Sequence, residues 1–149
     1  SQTLETNQRI DSGVYQLALD PTRALVAPLH KDEVPFFSFA PLRNALDELE
    51  KAAADYSDVA KSGGAANEQQ NILLYTSERE LTRVDGLPGR PWFTHHIYAP
   101  GFYTGYGVKT LPGVREAIEE RQYDLGSDEI FVAADVISGV ASRVRALSD

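Results

Sequence analysis

Cysteine is absent from this chain of 149 residues, which excludes a disulfide framework, a thiolate metal site and a thiol nucleophile. That absence assigns no compartment. No apolar run approaches the ~18–20 residues of a membrane-spanning helix. Basic charge is scarce: 14 Lys and Arg face 22 Asp and Glu, for a net charge of −8. Binding to nucleic-acid phosphate or to an anionic membrane surface needs a basic face, so both partner classes are set aside. Methionine is missing too. With an opening that reads like the interior of a helix, this leads us to expect a piece of a longer protein. Strand patterns are rare, the HHIY segment being the one convincing case.

What the chain does have is amphipathic helix. Its apolar fraction of 42% and charged fraction of 24% are those of a globular protein, and 149 residues suit a single domain over 1–149. From Thr3 to about Asp20, Ile10, Val14, Leu17 and Ala18 recur at helical spacing, with Gly13 a weak point and Asp20-Pro21 a stop. Residues 21–37 form an irregular crossover in which His30, beside charged neighbours, reads as a solvated turn. Ser38 is placed to cap a long second helix with Pro41 in its first turn. Its stripe is Leu42, Ala45, Leu46, Leu49, Ala53, Tyr56 and Ala60, and Ser62-Gly63-Gly64 stops it. Asn67–Gln70 resembles a capping box opening a third helix through Ile72, Leu73, Thr76, Leu81 and Val84, antiparallel to the second.

Thr110 is expected to cap a short helix carrying Pro112, Val114, Ala117 and Ile118, broken by Gly126. A last helix from Ser127 or Asp128 buries Ile130, Ala134, Ile137, Val140 or Ala141, Val144 and Leu147. The expected fold is all-α: an up-down four-helix bundle with one additional short helix and a long ordered loop.

That loop, Gly86–Gly113, holds six of the eleven glycines, four of the eight prolines and six aromatic residues. Long aperiodic loops are usually functional or disordered, and rings such as Trp92, Tyr98, Tyr103 and Tyr106 argue for order. Its chemistry is thin. His95-His96 are adjacent, so they point apart in extended chain, and no third metal ligand accompanies them. One buried, hydrogen-bonded histidine and one exposed one is the simpler expectation. Gly101, Gly105 and Gly107 lack the strand and the lysine–hydroxyl pair of a phosphate loop. The glycines and tyrosines make a recognition surface, or else plug the end of the bundle.

GLPGRPWF, then HxIYAP, then LPG opening a helix resembles the transferrin receptor-like dimerisation domain, the C-terminal helical domain of glutamate carboxypeptidase II. The element order extends the resemblance from about Ile10 to Leu147. It implies a two-fold homodimer built on the bundle, packed with the parent's own peptidase domain. Two zinc ions would sit in that domain, absent here, so this chain would hold no metal and catalyse nothing alone. Family members work outside the cytoplasm, which implies a periplasmic or extracellular setting. The loop between YAP and PG would reach a peptide substrate. Tyr106 then falls on the substrate-gripping tyrosine, while Gly105 stands where glutamate carboxypeptidase II has a lysine; Tyr103 and Lys109 are the further candidates. Tyr98, Pro100, Pro112 and Gly113 frame the motif. A non-catalytic, receptor-type binding module using the aromatic loop for a protein partner is the alternative. A small metal enzyme built on His95 and His96 is a third.

Overall fold

The structure is a computed structural model that describes residues 2–17, 26–62 and 67–148. They fall into two compact units, residues 1–36 and 37–149.

In the first unit, α1 runs over Gln2–Asp11 and gives way to a short 3-10 turn at Val14–Gln16. The expected helix to Asp20 is cut at Gly13, whose φ of 71° is left-handed. Glycine takes that conformation without the Cβ clash, so the chain turns where the helix was weakest. The expected stop at Asp20-Pro21, with Ala18, lies outside the described residues. His30 is exposed, its Nε2 2.9 Å from Asp11 Oδ1, a solvated polar contact.

The second unit is organised on its last helix. Its elements are α2 (Ala40–Lys61), α3 (Glu68–Thr76), a 3-10 turn at Ser77–Leu81, β1 (Tyr98–Pro100), β2 (Val108–Thr110), α4 (Pro112–Glu119) and α5 (Tyr123–Arg145). Helix α5 touches α2, α3, α4 and the 3-10 turn, and α2–α5 is the largest of these interfaces. The core gathers Leu42 and Ala45 of α2, Val114 of α4, and Ile130, Ala133, Ala134, Val136 and Ile137 of α5. Burying such side chains contributes about 1.5–3 kcal/mol each for the larger ones.

The described residues are mainly helical, as expected, with one small antiparallel sheet of two three-residue strands. The up-down four-helix bundle is not seen. Helices α2 and α3 make no contact with each other among the described residues, contrary to the expected antiparallel pair. Helix α3 is too short to cover a 22-residue stripe; α5, with 23 residues, takes that stripe instead. The third helix stops at Thr76, and Val84, expected on its inner face, is exposed. The α2 stripe is also rotated from the expected one. Leu42, Ala45 and Ala52 are buried, whereas Leu46 is half exposed and Ala53 and Ala60 face outward.

Helix ends explain the other differences. Ser38 does not cap α2; Phe39 precedes it with no side-chain cap bond, and Pro41 sits in the first turn as expected. Asn67 does cap α3: its Oδ1 accepts from Gln70 N at 2.9 Å, and Asn67 N donates to Gln70 Oε1 at 3.0 Å. Thr110 does not cap α4, which follows Leu111 in a left-handed conformation (φ 49°). Gly126 does not break the chain but lies inside α5, and the break is at Arg121 with φ 62°. A Cβ on Gly126 would stand 3.3 Å from Phe37 Cε1 and 3.4 Å from Ile118. Its glycine therefore serves close packing, and the Gly63-Gly64 stop lies outside the described residues.

Candidate functional site

The loop Gly86–Gly113 is a sequence of fixed turns ending in a hairpin. Leu87 N donates to Phe93 O at 2.8 Å and Arg90 N to Leu87 O at 2.9 Å, closing the first turn. His96 N donates to Leu81 O at 2.9 Å and Leu111 N to Ile97 O at 2.8 Å, tying the middle to its surroundings. Strands β1 and β2 then pair antiparallel, Ala99 opposite Lys109. Beyond them Gly101 N donates to Gly107 O at 2.9 Å, and Thr104 Oγ1 to the same carbonyl at 3.1 Å. The tip is thus ordered by its own backbone.

Two ion pairs fasten the hairpin to α4. Arg90 is only 3% exposed. Its Nη2 donates to Glu116 Oε2 at 2.6 Å, and its Nη1 to the Pro100 carbonyl. Glu116 Oε1 in turn accepts from Phe102 N at 2.7 Å. The guanidinium also lies 5.1 Å from the Phe93 ring centre and 5.5 Å from that of Phe102, within cation–π range. Lys109, 8% exposed, directs its ammonium to Glu119 Oε2. Sequence reasoning passed over Arg90 and Glu116, 26 residues apart. The available signal was a lone arginine between Gly89 and Pro91, inside an aromatic loop with no other charge until Lys109 apart from its histidines.

The motif residues are spread over this frame. Tyr98 on β1 is half exposed and donates to Glu78 Oε1 at 2.8 Å, an acceptor that pushes its phenol pKa up. Pro100 supplies the carbonyl for Arg90, and Pro112 is fully buried in the first turn of α4. Gly113 lies under Glu129, whose Oε2 would be 2.0 Å from a Cβ there. The candidates Tyr103, Gly105 and Tyr106 gather at the tip. Tyr106 is fully exposed and Tyr103 is 77% exposed. Gly105 has φ +60° with open space around it. Lys109 lies apart from them in contact, held at the base.

One loop histidine, His96, is buried as expected, while His95 is partly enclosed rather than exposed. His95 is the hydrogen-bonded one, its Nδ1 accepting from Ile97 N and Tyr98 N, both at 3.2 Å. His96 is buried, its Nδ1 3.8 Å from Glu129 Oε2. No group of three or more His, Asp and Glu able to hold a metal occurs among the described residues, and no described helix is long and apolar enough to cross a membrane.

Burial holds the His96 imidazole below the ordinary histidine range, with Arg83 and then His95 adding to it. Burial pushes the Glu129 carboxyl up, against the pull of Arg83 and with a push from Asp128. The two act oppositely on acidification. For His96 the unfolded chain binds the proton more readily, so stability falls as pH drops through about 6.5. For Glu129 the folded chain binds it more readily, so stability is gained as pH falls through its raised pKa. His96→Gln should therefore flatten the loss of stability between about pH 7 and 5.5 in urea titrations. An unchanged pH slope would show that His96 titrates as it does in the unfolded chain.

Residues 37–145 match the sequence profile of the transferrin receptor-like dimerisation domain. A protein of Arabidopsis thaliana named probable glutamate carboxypeptidase is 40% identical over 80 residues, 52% of this chain and 12% of that protein. A second protein so named, from Arthroderma benhamiae, is 31% identical over 119 residues, 72% of this chain and 15% of that protein. The chain spans less than a fifth of the length of these relatives. With a profile match over most of its length, the chain belongs to the transferrin receptor-like dimerisation domain family.

Proposed function

We propose that this chain is the dimerisation domain of a glutamate carboxypeptidase-like zinc exopeptidase, supplying part of the subunit interface and one substrate-pocket loop. It catalyses nothing by itself. The two zinc ions and the reaction centre belong to polypeptide outside this chain. The observation that carries the reading is the hairpin: a tip bearing exposed Tyr103 and Tyr106, fastened at its base by Arg90–Glu116 and Lys109–Glu119. Rigid support of an exposed aromatic pair suits recognition, because little freedom is lost on contact. Tyr106 is the substrate-contacting group, with Tyr103 beside it and Gly105 giving close backbone approach. Lys109 serves the same loop from below, by holding β2 on α4.

Replacing Tyr106 by phenylalanine in the full-length parent tests the loop's part, and unchanged peptide kinetics would discard it. For the interface, Leu46 on α2 and Phe131 on α5 remain exposed after the unit has packed, apolar surface of the kind a partner copy covers. Sedimentation of the parent should give a dimer that persists through dilution to low micromolar concentration. A parent that sediments as a monomer at every concentration would remove the interface role.

The receptor-type reading has one feature in its favour. Trp92, Phe93, Tyr98, Pro100 and Val108 line an apolar groove of about 380 Å³, with Trp92 70% exposed. A parent lacking zinc ligands upstream would turn the argument toward a protein partner in that groove.

A further inference from the structure

We infer that Glu129 and His96 form an acid-operated tether, in which a proton taken up on the Glu129 carboxylate is donated to Nδ1 of a neutral His96 imidazole and fixes the aromatic loop to α5. The two side chains are already closed off within this chain, 10% and 4% exposed, with His96 Nδ1 3.8 Å from Glu129 Oε2. That separation is longer than a hydrogen bond. Helix α4 closes over the carboxylate, since a Cβ at Gly113 would stand 2.0 Å from Oε2 and 2.8 Å from Cδ. His96 is held by its backbone, its N donating to Leu81 O at 2.9 Å. Its Nε2 is buried with no hydrogen-bond partner among the described residues. Nδ1 is therefore the ring nitrogen that faces a partner.

Enclosure decides where the proton goes. An imidazolium beside a carboxylate must offset the desolvation of two charges, whereas a neutral acid beside a neutral ring does not. The neighbouring charges come from the loop and from α5, and α4 meets the pair with the uncharged Gly113. Arg83, ion-paired with Asp135 of α5 at 2.7 Å, and His95 add to burial in opposing an imidazolium at His96. At Glu129 burial outweighs the pull of Arg83 toward the carboxylate, and Asp128 adds to burial. The pair gains one proton from solvent, on Glu129 Oε2, and no other bond is lost. Facing a carboxylate, Nδ1 carries the ring proton; facing the acid, Nδ1 accepts and the ring proton resides on Nε2. The imidazole stays neutral in both states while its tautomer changes.

The sequence has three histidines, so nitrogen NMR of the chain carrying 15N-labelled histidine follows three rings. On acidification the His96 ring should pass from the Nδ1–H to the Nε2–H tautomer, at a midpoint above the ordinary glutamate value of about 4.3. It should do so without the shifts of an imidazolium, and Glu129→Gln should abolish the step. An imidazolium forming at that midpoint, or a ring that keeps one tautomer until the chain unfolds, would overturn the inference. These spectra decide on wild type alone. Hydrogen exchange then reads the tether itself. Protection of His96 N and Leu111 N, taken relative to Glu129→Gln, should rise about two- to ten-fold through the same midpoint, the scale of one added hydrogen bond. A ratio that stays constant with pH would show that the proton does not hold the loop, and would overturn the inference as well.

Discussion

Arg90→Ala should destabilise the chain by about 3–5 kcal/mol, the range for removing one partner of a buried ion pair. Glu116 is left as a carboxylate in a nearly closed site, its side chain 12% exposed. The Pro100 carbonyl loses its donor in the same step. Chemical denaturation measures the effect as a fall in the midpoint, and a loss below about 1 kcal/mol would mean that water reaches Glu116 readily. Replacing both partners by apolar residues, as in Arg90→Met with Glu116→Leu, should recover part of the loss. Recovery stays incomplete because the partly buried Pro100 carbonyl then lacks its donor, at a cost of about 1–3 kcal/mol, and the more exposed Phe102 N loses its acceptor to water. The pair is therefore more than a contact between two charges. It binds three points of the loop, at residues 90, 100 and 102, to a helix anchored in the core.

Gly86→Ala should cost about 3 kcal/mol or more, whereas Gly105→Ala should cost only about 1 kcal/mol. Both glycines have left-handed φ, 64° and 60°, so the intrinsic strain is shared. The surroundings differ. A Cβ at Gly86 would fall 2.2 Å from the Pro91 carbonyl oxygen and 2.6 Å from its carbon, backbone atoms that cannot swing aside. At Gly105 there is nothing within 4 Å. Urea midpoints for the two variants read this contrast directly. Equal losses would mean that the first turn of the loop is not packed as closely as its geometry requires.

Much of the helical frame was legible in the sequence because it rests on local rules. The Asn67–Gln70 capping box forms as written, and Ile130, Ala134, Ile137, Ala141 and Leu147 are buried on or just beyond α5. Pro112, Val114 and Ala117 face inward on α4. What failed depended on contacts between distant segments. Gly126 read as a helix breaker, and only the approach of Phe37 and Ile118 shows why glycine is needed inside α5. Helices α2 and α3 read as neighbours from a short linker, but α5 offered α2 the longer surface.

The candidate site was marked out in a different way. Residue types marked the loop as special, and resemblance to a family picked out Tyr103, Gly105, Tyr106 and Lys109. The anchoring of that loop was not legible. Neither Arg90–Glu116 nor Lys109–Glu119 has a local pattern, since the hairpin brings the partners together from 26 and 10 residues away. The Tyr98–Glu78 bond spans 20 residues and is equally invisible to periodicity.

The central claim is that an anchored hairpin presents Tyr106 to a reaction centre on other polypeptide of the parent. Steady-state peptide hydrolysis by the full-length parent carrying Tyr106→Phe, compared with wild type at equal metal content, tests it most directly. Loss of the proposed hydrogen bond from the Tyr106 phenol to substrate should lower kcat/KM by about three- to thirty-fold, mainly through KM if the contact is made equally to substrate and transition state. Wild-type values of both constants in that variant would contradict the account.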